Sequence, residues 1–506
     1  MPAKAQPVLR AIAIVLAALA LIWPAAINGQ PFFHPDTLGY VRGPDVAVMK
    51  LLGPRFASSW ATLDPGAAVV AHRGEGAPAL GHGYDDKEVL GGRSIYYGVL
   101  ADLGARVGGF WLTVLLQALA VAWLVQIALR GLGLGGLRAY AGVMALLVLA
   151  SPAPFFVSFL MPDIWAGVAV GALAALVALR SRLKPFDIPA LAAMTVFAAM
   201  AHTSVTPVLA AMMAAGGGLW FLDRRKAAPV LGLVVGACAV SAAAAGAFAF
   251  TAMVEHTVGA PPVNPPFLTA RVVADGPGTR FAKSGCGGQA FVVCRYAARL
   301  PLDADHFLWG QTERDGVFQT ASPADRRALG EEQVRFALAA VRADPLGQAR
   351  ASLANAVQQL GDSDLSDFDY KPSLRQTFAA SLPAETRRTM ARTAAWAEAW
   401  PVAGLWALQI AVTGALTLGA AILTLRRAPA VPAAEAGLRR ALEFLTLVVV
   451  GVLANAVVCG VLSSVNGRYE ARMIWCAPLA LAAWLILRLQ AERAARPAVG
   501  LARSEA

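Results

Sequence analysis

The chain has 506 residues, 57% of them hydrophobic and only 15% charged, with a mean hydropathy of +0.57. Charge that sparse, gathered into short runs between long apolar stretches, excludes a soluble globular enzyme and implies an all-α polytopic membrane protein. The formal net charge of +11 gives no reason to invoke nucleic acid, since basic loops between spans account for it.

A spanning helix needs about 20 mostly apolar residues. In chain order, such stretches lie at 8–27, 110–129, 139–159, 164–179, 188–201, 205–222, 229–254, 402–425, 444–463 and 474–487, about ten in all. The fifth and sixth read as a hairpin turning near His202. Each must be helical, because lipid offers no partner to a free backbone amide. Lys and Arg mark short cytoplasmic loops. Lys4 and Arg10 precede the first stretch; Arg130 and Arg138 follow the second; Arg180, Arg182 and Lys184 follow the fourth. Arg224, Arg225 and Lys226 follow the sixth, Arg426, Arg427, Arg439 and Arg440 follow the eighth, and Arg488, Arg493, Arg496 and Arg503 close the chain. All fall on one side of a ten-span arrangement with both termini inside, as expected for a bacterial cytoplasmic membrane.

That arrangement divides the chain into three parts. Residues 1–254 form an N-terminal transmembrane bundle with a long first outer loop at 28–109; residues 255–400 form a small, mainly helical external domain; residues 401–506 hold the last spans and a cytoplasmic tail. Within the first loop, 46–63 and 95–107 mix apolar and polar residues as interfacial helices do. The loop also carries Arg73, Asp85, Asp86, Lys87, Arg93, Tyr96 and Tyr97. A loop of that length is uncommon without a function. In the external domain, Ser322 and Pro323 are a cap and first position for a helix over 324–343. Asp344-Pro345 interrupts that helix before the pattern resumes over 346–360.

Three of the five cysteines, Cys238, Cys459 and Cys476, fall in or at apolar stretches. Cys286 and Cys294 fall in the external domain, where an oxidising compartment favours a disulfide. The alternative, a two-thiolate zinc site, lacks further ligands at sensible spacing. All six histidines lie in outer segments or at the outer face, without metal-binding spacing.

The candidate site assembles from the ends of these stretches. His34-Pro35-Asp36-Thr37-Leu38-Gly39-Tyr40 follows the first, Asp163 opens the fourth, His202 ends the fifth, and Asn466-Gly467-Arg468-Tyr469-Glu470-Ala471-Arg472 joins the last two. Charged groups at span ends are costly unless paired or solvated, so carboxylates and arginines converging on one face imply a polar cavity. Asp163, after Pro162 and before an apolar run, also suits a helix cap. Asp36 lies too far from a span for that account.

These residues carry a resemblance. An acidic motif after the first span, an acidic residue in the next outer loop and a late outer Arg-Tyr resemble the glycosyltransferase C superfamily. Its members, such as protein mannosyltransferases and the aminoarabinose transferases of lipid A, use polyprenyl-phosphate-linked sugars. Asp36-Thr37 stands where the mannosyltransferases carry a paired Asp-Glu, and the Trp-Trp-Asp of oligosaccharyltransferases is absent. The resemblance implies inverting sugar transfer at the outer membrane face, with Asp36 as general base. Asp163 would orient the acceptor or hold a divalent cation, the one cofactor this reading leaves room for. Arg468 and Arg472, with Arg93 or His202, would bind the lipid phosphate. His34 belongs to the same cluster, and Tyr40, Tyr96 or Tyr469 would stack against sugar. The partners implied are membrane lipid, a polyprenyl-phosphate-sugar donor and an acceptor of undefined class. The rival readings are a transporter or flippase, and a scaffold. A transporter places ionisable or helix-breaking residues near the bilayer midplane, whereas these stretches are nearly free of charge at their centres.

Overall fold

The computed structural model describes residues 5–61, 89–222, 229–426 and 432–504; His72, Arg73, His82, Asp85, Asp86 and Lys87 of the first loop fall outside them. Among the described residues the chain builds 22 α-helices and no sheet, with two isolated parallel bridges, Phe32 to Phe159 and Leu90 to Val263. The first stretch becomes α1 (Ala5–Leu21) and α2 (Trp23–Asn28), divided where Pro24 starts a new helix. Then come α3 (Pro35–Leu52) and α4 (Ile95–Arg106), followed by α5 (Trp111–Gly131), α6 (Leu137–Ala150), the short α7 (Ala153–Val157) and α8 (Asp163–Ala178). The run continues through α9 (Asp187–Ala201), α10 (Val205–Leu222) and α11 (Val230–Val258).

Among the described residues, six helical segments are long and apolar enough to cross a membrane: α5, α10, α11, Val402–Leu425, Glu435–Leu462 and Gly467–Ala495. That is the build of a multi-pass α-helical membrane protein. The other four apolar stretches coincide with shorter apolar helices, in α1, α6, α8 and α9.

Helix α8 is the axis of the bundle. All 16 of its residues are buried, and α5, α9, α10 and α11 surround it. Small residues make this possible, since Gly and Ala let neighbouring helices approach closely. A Cβ added at Gly167 would stand 2.4 Å from the indole nitrogen of Trp475. The one charge on α8 is Asp163, at its N-terminal end.

The segment after α11 has two cores. The first spans Val263 to Ala340 and is built from α12 (Phe267–Ala274), α13 (Pro277–Lys283), α14 (Ala304–Trp309) and α15 (Pro323–Ala343). The Cys286–Cys294 disulfide joins this unit, its Cα atoms 6.4 Å apart. Helix α15 starts as its sequence implies: the Ser322 hydroxyl accepts from the Asp325 amide. Asp344 then ends α15 and caps α16 (Pro345–Gly361) through the Gly347 amide.

The second part holds α17 (Pro372–Ser381) and α18 (Ala384–Met390), and it shares the core of the bundle. Phe368 meets Phe32, Phe155, Phe156 and Phe159 at ring-centroid distances of 4.9–5.3 Å. The chain closes with α19 (Val402–Leu425), α20 (Pro432–Leu462), α21 (Gly467–Ile474) and α22 (Cys476–Ser504); α20 packs on α8, α10, α16 and α22.

Candidate functional site

The two acidic motifs are joined by main chain. The Phe32 amide donates to the Ser158 carbonyl at 2.9 Å, and the Leu160 amide donates to the Phe32 carbonyl at 3.0 Å. The Thr37 hydroxyl adds a bond to the Leu160 carbonyl at 3.1 Å. Asp36 and Asp163 therefore sit on adjacent ends of one bridged pair of segments, in a chain that separates them by more than a hundred residues.

Asp36 lies in the first turn of α3, a helix that begins at Pro35 and not at 46 as the apolar pattern implies. Gly39 and Pro44 in its interior conceal it. His34 is the N-cap: its Nδ1 accepts from the Asp36 amide at 3.2 Å, and the Thr37 hydroxyl accepts from the His34 amide at 2.9 Å. Asp36 Oδ1 accepts from Arg93 Nη2 at 2.5 Å, and the Arg93 guanidinium lies 5.7 Å from the Trp309 ring centroid. Burial works against ionising Asp36, but Arg93, with Arg468 behind it, outweighs that and holds the carboxyl at about 2. Burial and then Arg468 lower His34 to about 3, so its imidazole is neutral.

Asp163 does not act as a cap. Pro162 occupies the N-cap position without a side-chain bond, and Asp163 Oδ1 faces Arg472 Nη1 at 3.5 Å and Arg468 Nε at 3.8 Å. Its side chain is 1% exposed, whereas that of Asp36 is 22% exposed. An incoming molecule reaches Asp36 and not Asp163.

Helix α21 supplies both arginines. Asn466 caps it by accepting from the Arg468 amide at 3.0 Å. Both terminal nitrogens of Arg472 are engaged, and only its buried Nε holds no hydrogen bond: Nη1 meets His202 Nε2 at 2.9 Å, while Nη2 donates to the Ser204 hydroxyl at 2.8 Å and to Asn455 Oδ1 at 3.2 Å. Asn455 also donates to the Tyr469 carbonyl at 2.7 Å and to Glu470 at 3.0 Å. Arg468 differs. It faces Asp163 and also Asp367 Oδ2, at 3.5 Å, yet its buried Nε and Nη1 hold no hydrogen bond, and neither does Asp163 Oδ2 or Asp367 Oδ2. Polar atoms buried without partners are expensive, so this cluster is incomplete as it stands. Both guanidinia lie over the Tyr469 ring, at 5.3 and 5.1 Å.

The structure thus brings together His34, Asp36, Arg93, Asp163, His202, Arg468, Tyr469 and Arg472. Tyr40 is buried edge-on against Tyr97, 5.2 Å between centroids, within electrostatic reach of Arg93. Tyr96 turns elsewhere: its hydroxyl donates to the Gly246 carbonyl of α11 at 2.9 Å. Sequence reasoning missed Asp367, Asn455 and Ser204. The signal for Asp367 was the acidic run Asp362, Asp364, Asp367, Asp369, which reads as a solvated turn. Burial instead raises the Asp367 carboxyl, overcoming Arg468.

Below this polar cluster lies an apolar groove of about 620 Å³ between α1, α5, α8 and α9. Ile14, Leu116, Trp123, Met194 and Phe197 line it, as does Trp165, two residues beyond Asp163. Among the described residues no group of three or more His, Cys, Asp or Glu is placed to hold a metal ion. Asp163 is already engaged by two arginines. Comparison with known proteins returns no match, whether to a family model, a characterised protein or a solved structure.

Proposed function

We propose that this protein is an integral membrane glycosyltransferase that moves a sugar from a polyprenyl-phosphate donor to an acceptor hydroxyl at the outer membrane face, with inversion. The observation that carries the reading is the incomplete polar cluster: an accessible carboxylate, Asp36, in one cluster with an arginine, Arg468, whose buried Nε and Nη1 hold no hydrogen bond. A phosphate supplies acceptors for both, and arginine's planar fork suits phosphate oxygens.

In the reaction, the acceptor oxygen forms a bond to the anomeric carbon as the bond from that carbon to the phosphate oxygen breaks. Asp36 Oδ2, left over by Arg93, takes the acceptor proton. The leaving polyprenyl phosphate keeps the electron pair, and Arg468 stabilises its charge. Asp163 holds both arginines in place. The groove lined in part by Trp165 suits an isoprenoid chain, since ligand sites are mostly apolar with a few placed polar groups.

The test is glycolipid turnover in nanodiscs with a panel of polyprenyl-phosphate sugars. Asp36→Asn keeps shape but loses the basic lone pair. It should bind donor normally and transfer sugar at least ~10²-fold more slowly. Near-normal turnover by this variant removes the assigned base. If no donor is consumed while the protein moves a solute in proteoliposomes, a transporter replaces the enzyme.

A further inference from the structure

Helix α16 is amphipathic the wrong way round for water. Its inward face is polar: Gln348 and Gln359 are buried, Gln348 and Asn355 donate to Asp275 at 2.5 and 2.8 Å, and Gln359 bonds Asn466, while Gln358 and Arg350 are its exposed long polar side chains. Its apolar residues face outward, with Leu346 72%, Leu353 68%, Val357 64% and Leu360 41% exposed. In water the opposite arrangement is the stable one, because each large aliphatic side chain left exposed forgoes roughly 1.5–3 kcal/mol of burial.

Contacts with α20 set the depth of this face. Asn355 packs on Gly460, where an added Cβ would stand 2.7 Å from the Asn355 carbonyl oxygen. Gly460 lies inside the apolar stretch 444–463, and Asn466, bonded to Gln359, lies just beyond it. Helix α20 itself presents an exposed apolar stripe, Leu442, Val449, Leu453 and Val457. Helix α16 packs on α20, and both leave large apolar side chains exposed. Arg350 is the one charge on the face, and its long aliphatic stem lets the guanidinium reach the headgroups.

We infer that α16 is not part of a water-exposed domain but is embedded in the bilayer leaflet on the site side, with Leu346, Leu353, Val357 and Leu360 against acyl chains. It does not cross the membrane: Asp344 at its start pairs with Arg280 of the disulfide-bearing unit and Gln359 near its end bonds Asn466, so both ends lie on the site side. The inward face carries a second consequence. Gln359 donates to the Asn466 carbonyl and accepts from the Asn466 amide, both at 2.9 Å. Asn466 caps the helix bearing Arg468 and Arg472, so a lipid-contacting helix sets the position of both arginines.

The inference is tested on the full-length protein in nanodiscs doped with a phospholipid bearing a diazirine at the end of one acyl chain. After photolysis, cross-linked peptides are identified by mass spectrometry. The peptide holding Leu353 and Val357 should be labelled as heavily as the one holding Leu453 and Val457, while the peptide holding exposed His306 stays at background. An unlabelled α16 beside a labelled α20 overturns the inference, whether water or another protein covers the face. As a second arm, Leu353→Lys with Val357→Lys should abolish labelling of α16 and leave that of α20 unchanged. Persistent α16 labelling in that variant would show contact through another surface and also overturn it. Neither arm reads sugar transfer, so both are independent of the proposed activity.

Discussion

Arg472 and His202 share a 2.9 Å hydrogen bond that only a neutral imidazole can accept. Arginine has no acceptor and does not give up its proton, so His202 Nε2 carries the lone pair and Nδ1 carries the proton. On this tautomer the Nδ1 proton faces the Ser204 hydroxyl, 2.9 Å away, which also accepts from Arg472, and the 3.3 Å approach of the Ser204 amide to Nδ1 is a contact and not a hydrogen bond. Burial, with Arg472 next, pushes His202 well below the ordinary imidazole range. His202→Ala leaves an arginine donor buried and unpaired, at a cost of about 1–3 kcal/mol. His202→Gln presents a carbonyl oxygen at similar reach and should recover most of it. Thermal unfolding in detergent separates the two.

The same imidazole has a pH signature. It is neutral when folded and gains a proton near 6.5 when unfolded, so the unfolded state binds more protons below that value. Stability should therefore rise with pH through 6.5 and fall below it. His34, also held neutral, contributes in the same direction. The His202→Gln variant should show a shallower slope between pH 5 and 7. An unchanged slope would place the titration elsewhere.

Arg93 sets the basicity of Asp36. With Arg93 present the carboxyl titrates at about 2, so Asp36 contributes no acid limb to kcat/KM near neutrality. In Arg93→Gln the opposing effect of burial is no longer balanced by that charge, and the Asp36 pKa rises. An acid limb should move upward into the measurable range. A profile identical to that of the wild type would exclude Arg93 as the controlling charge.

Arg468 and Arg472 should fail differently, although only four residues separate them on α21. Arg468→Ala removes a guanidinium that faces Asp163 and Asp367 without a hydrogen bond, so it should weaken donor binding and turnover and cost less stability than the loss of Arg472. Arg472→Ala strips His202, Ser204, Asn455 and Asp163 of a shared buried partner, so the loss appears as unfolding, by about 3–5 kcal/mol. Parallel donor titrations and melting curves distinguish them. Equal melting temperatures would remove the structural role assigned to Arg472.

Gly167→Ala tests the close packing at the axis. The new methyl group would meet the buried Trp475 ring, which has no room to move, so overpacking should cost about 1–3 kcal/mol. Because Trp475 follows α21 directly and its indole donates to the Arg472 carbonyl at 3.0 Å, the variant should also lower turnover. Full activity with unchanged stability would show that the two helices can separate freely.

Much of this was legible in the sequence because it rests on local chemistry. Each apolar stretch is mostly helical, although the first and third are each divided into two helices and six helices among the described residues reach spanning length. The Ser322 cap and the Cys286–Cys294 pair follow from neighbouring residues in the same way. What could not be read depends on distant partners. The bond of Phe32 to Ser158 leaves no mark on either residue. Asp367 resembles its acidic neighbours until Arg468, a hundred residues later in the chain, is brought beside it. Asn455 sits inside an apolar run, where it passes for a tolerated amide until α21 folds back over it.

The bridge at Phe32 also limits how the site can move. Two segments joined by main-chain bonds shift as one body, whatever side chains they carry, so Asp36 and Asp163 form a fixed jaw. The facing side, α21 with the turn bearing Asp367, is tied to the same body by side chains: Phe368 packs on Phe32, the Phe33 amide donates to the Tyr370 hydroxyl, and Trp475 packs on Gly167. A molecule entering between them therefore meets carboxylates and arginines whose spacing is set before it arrives.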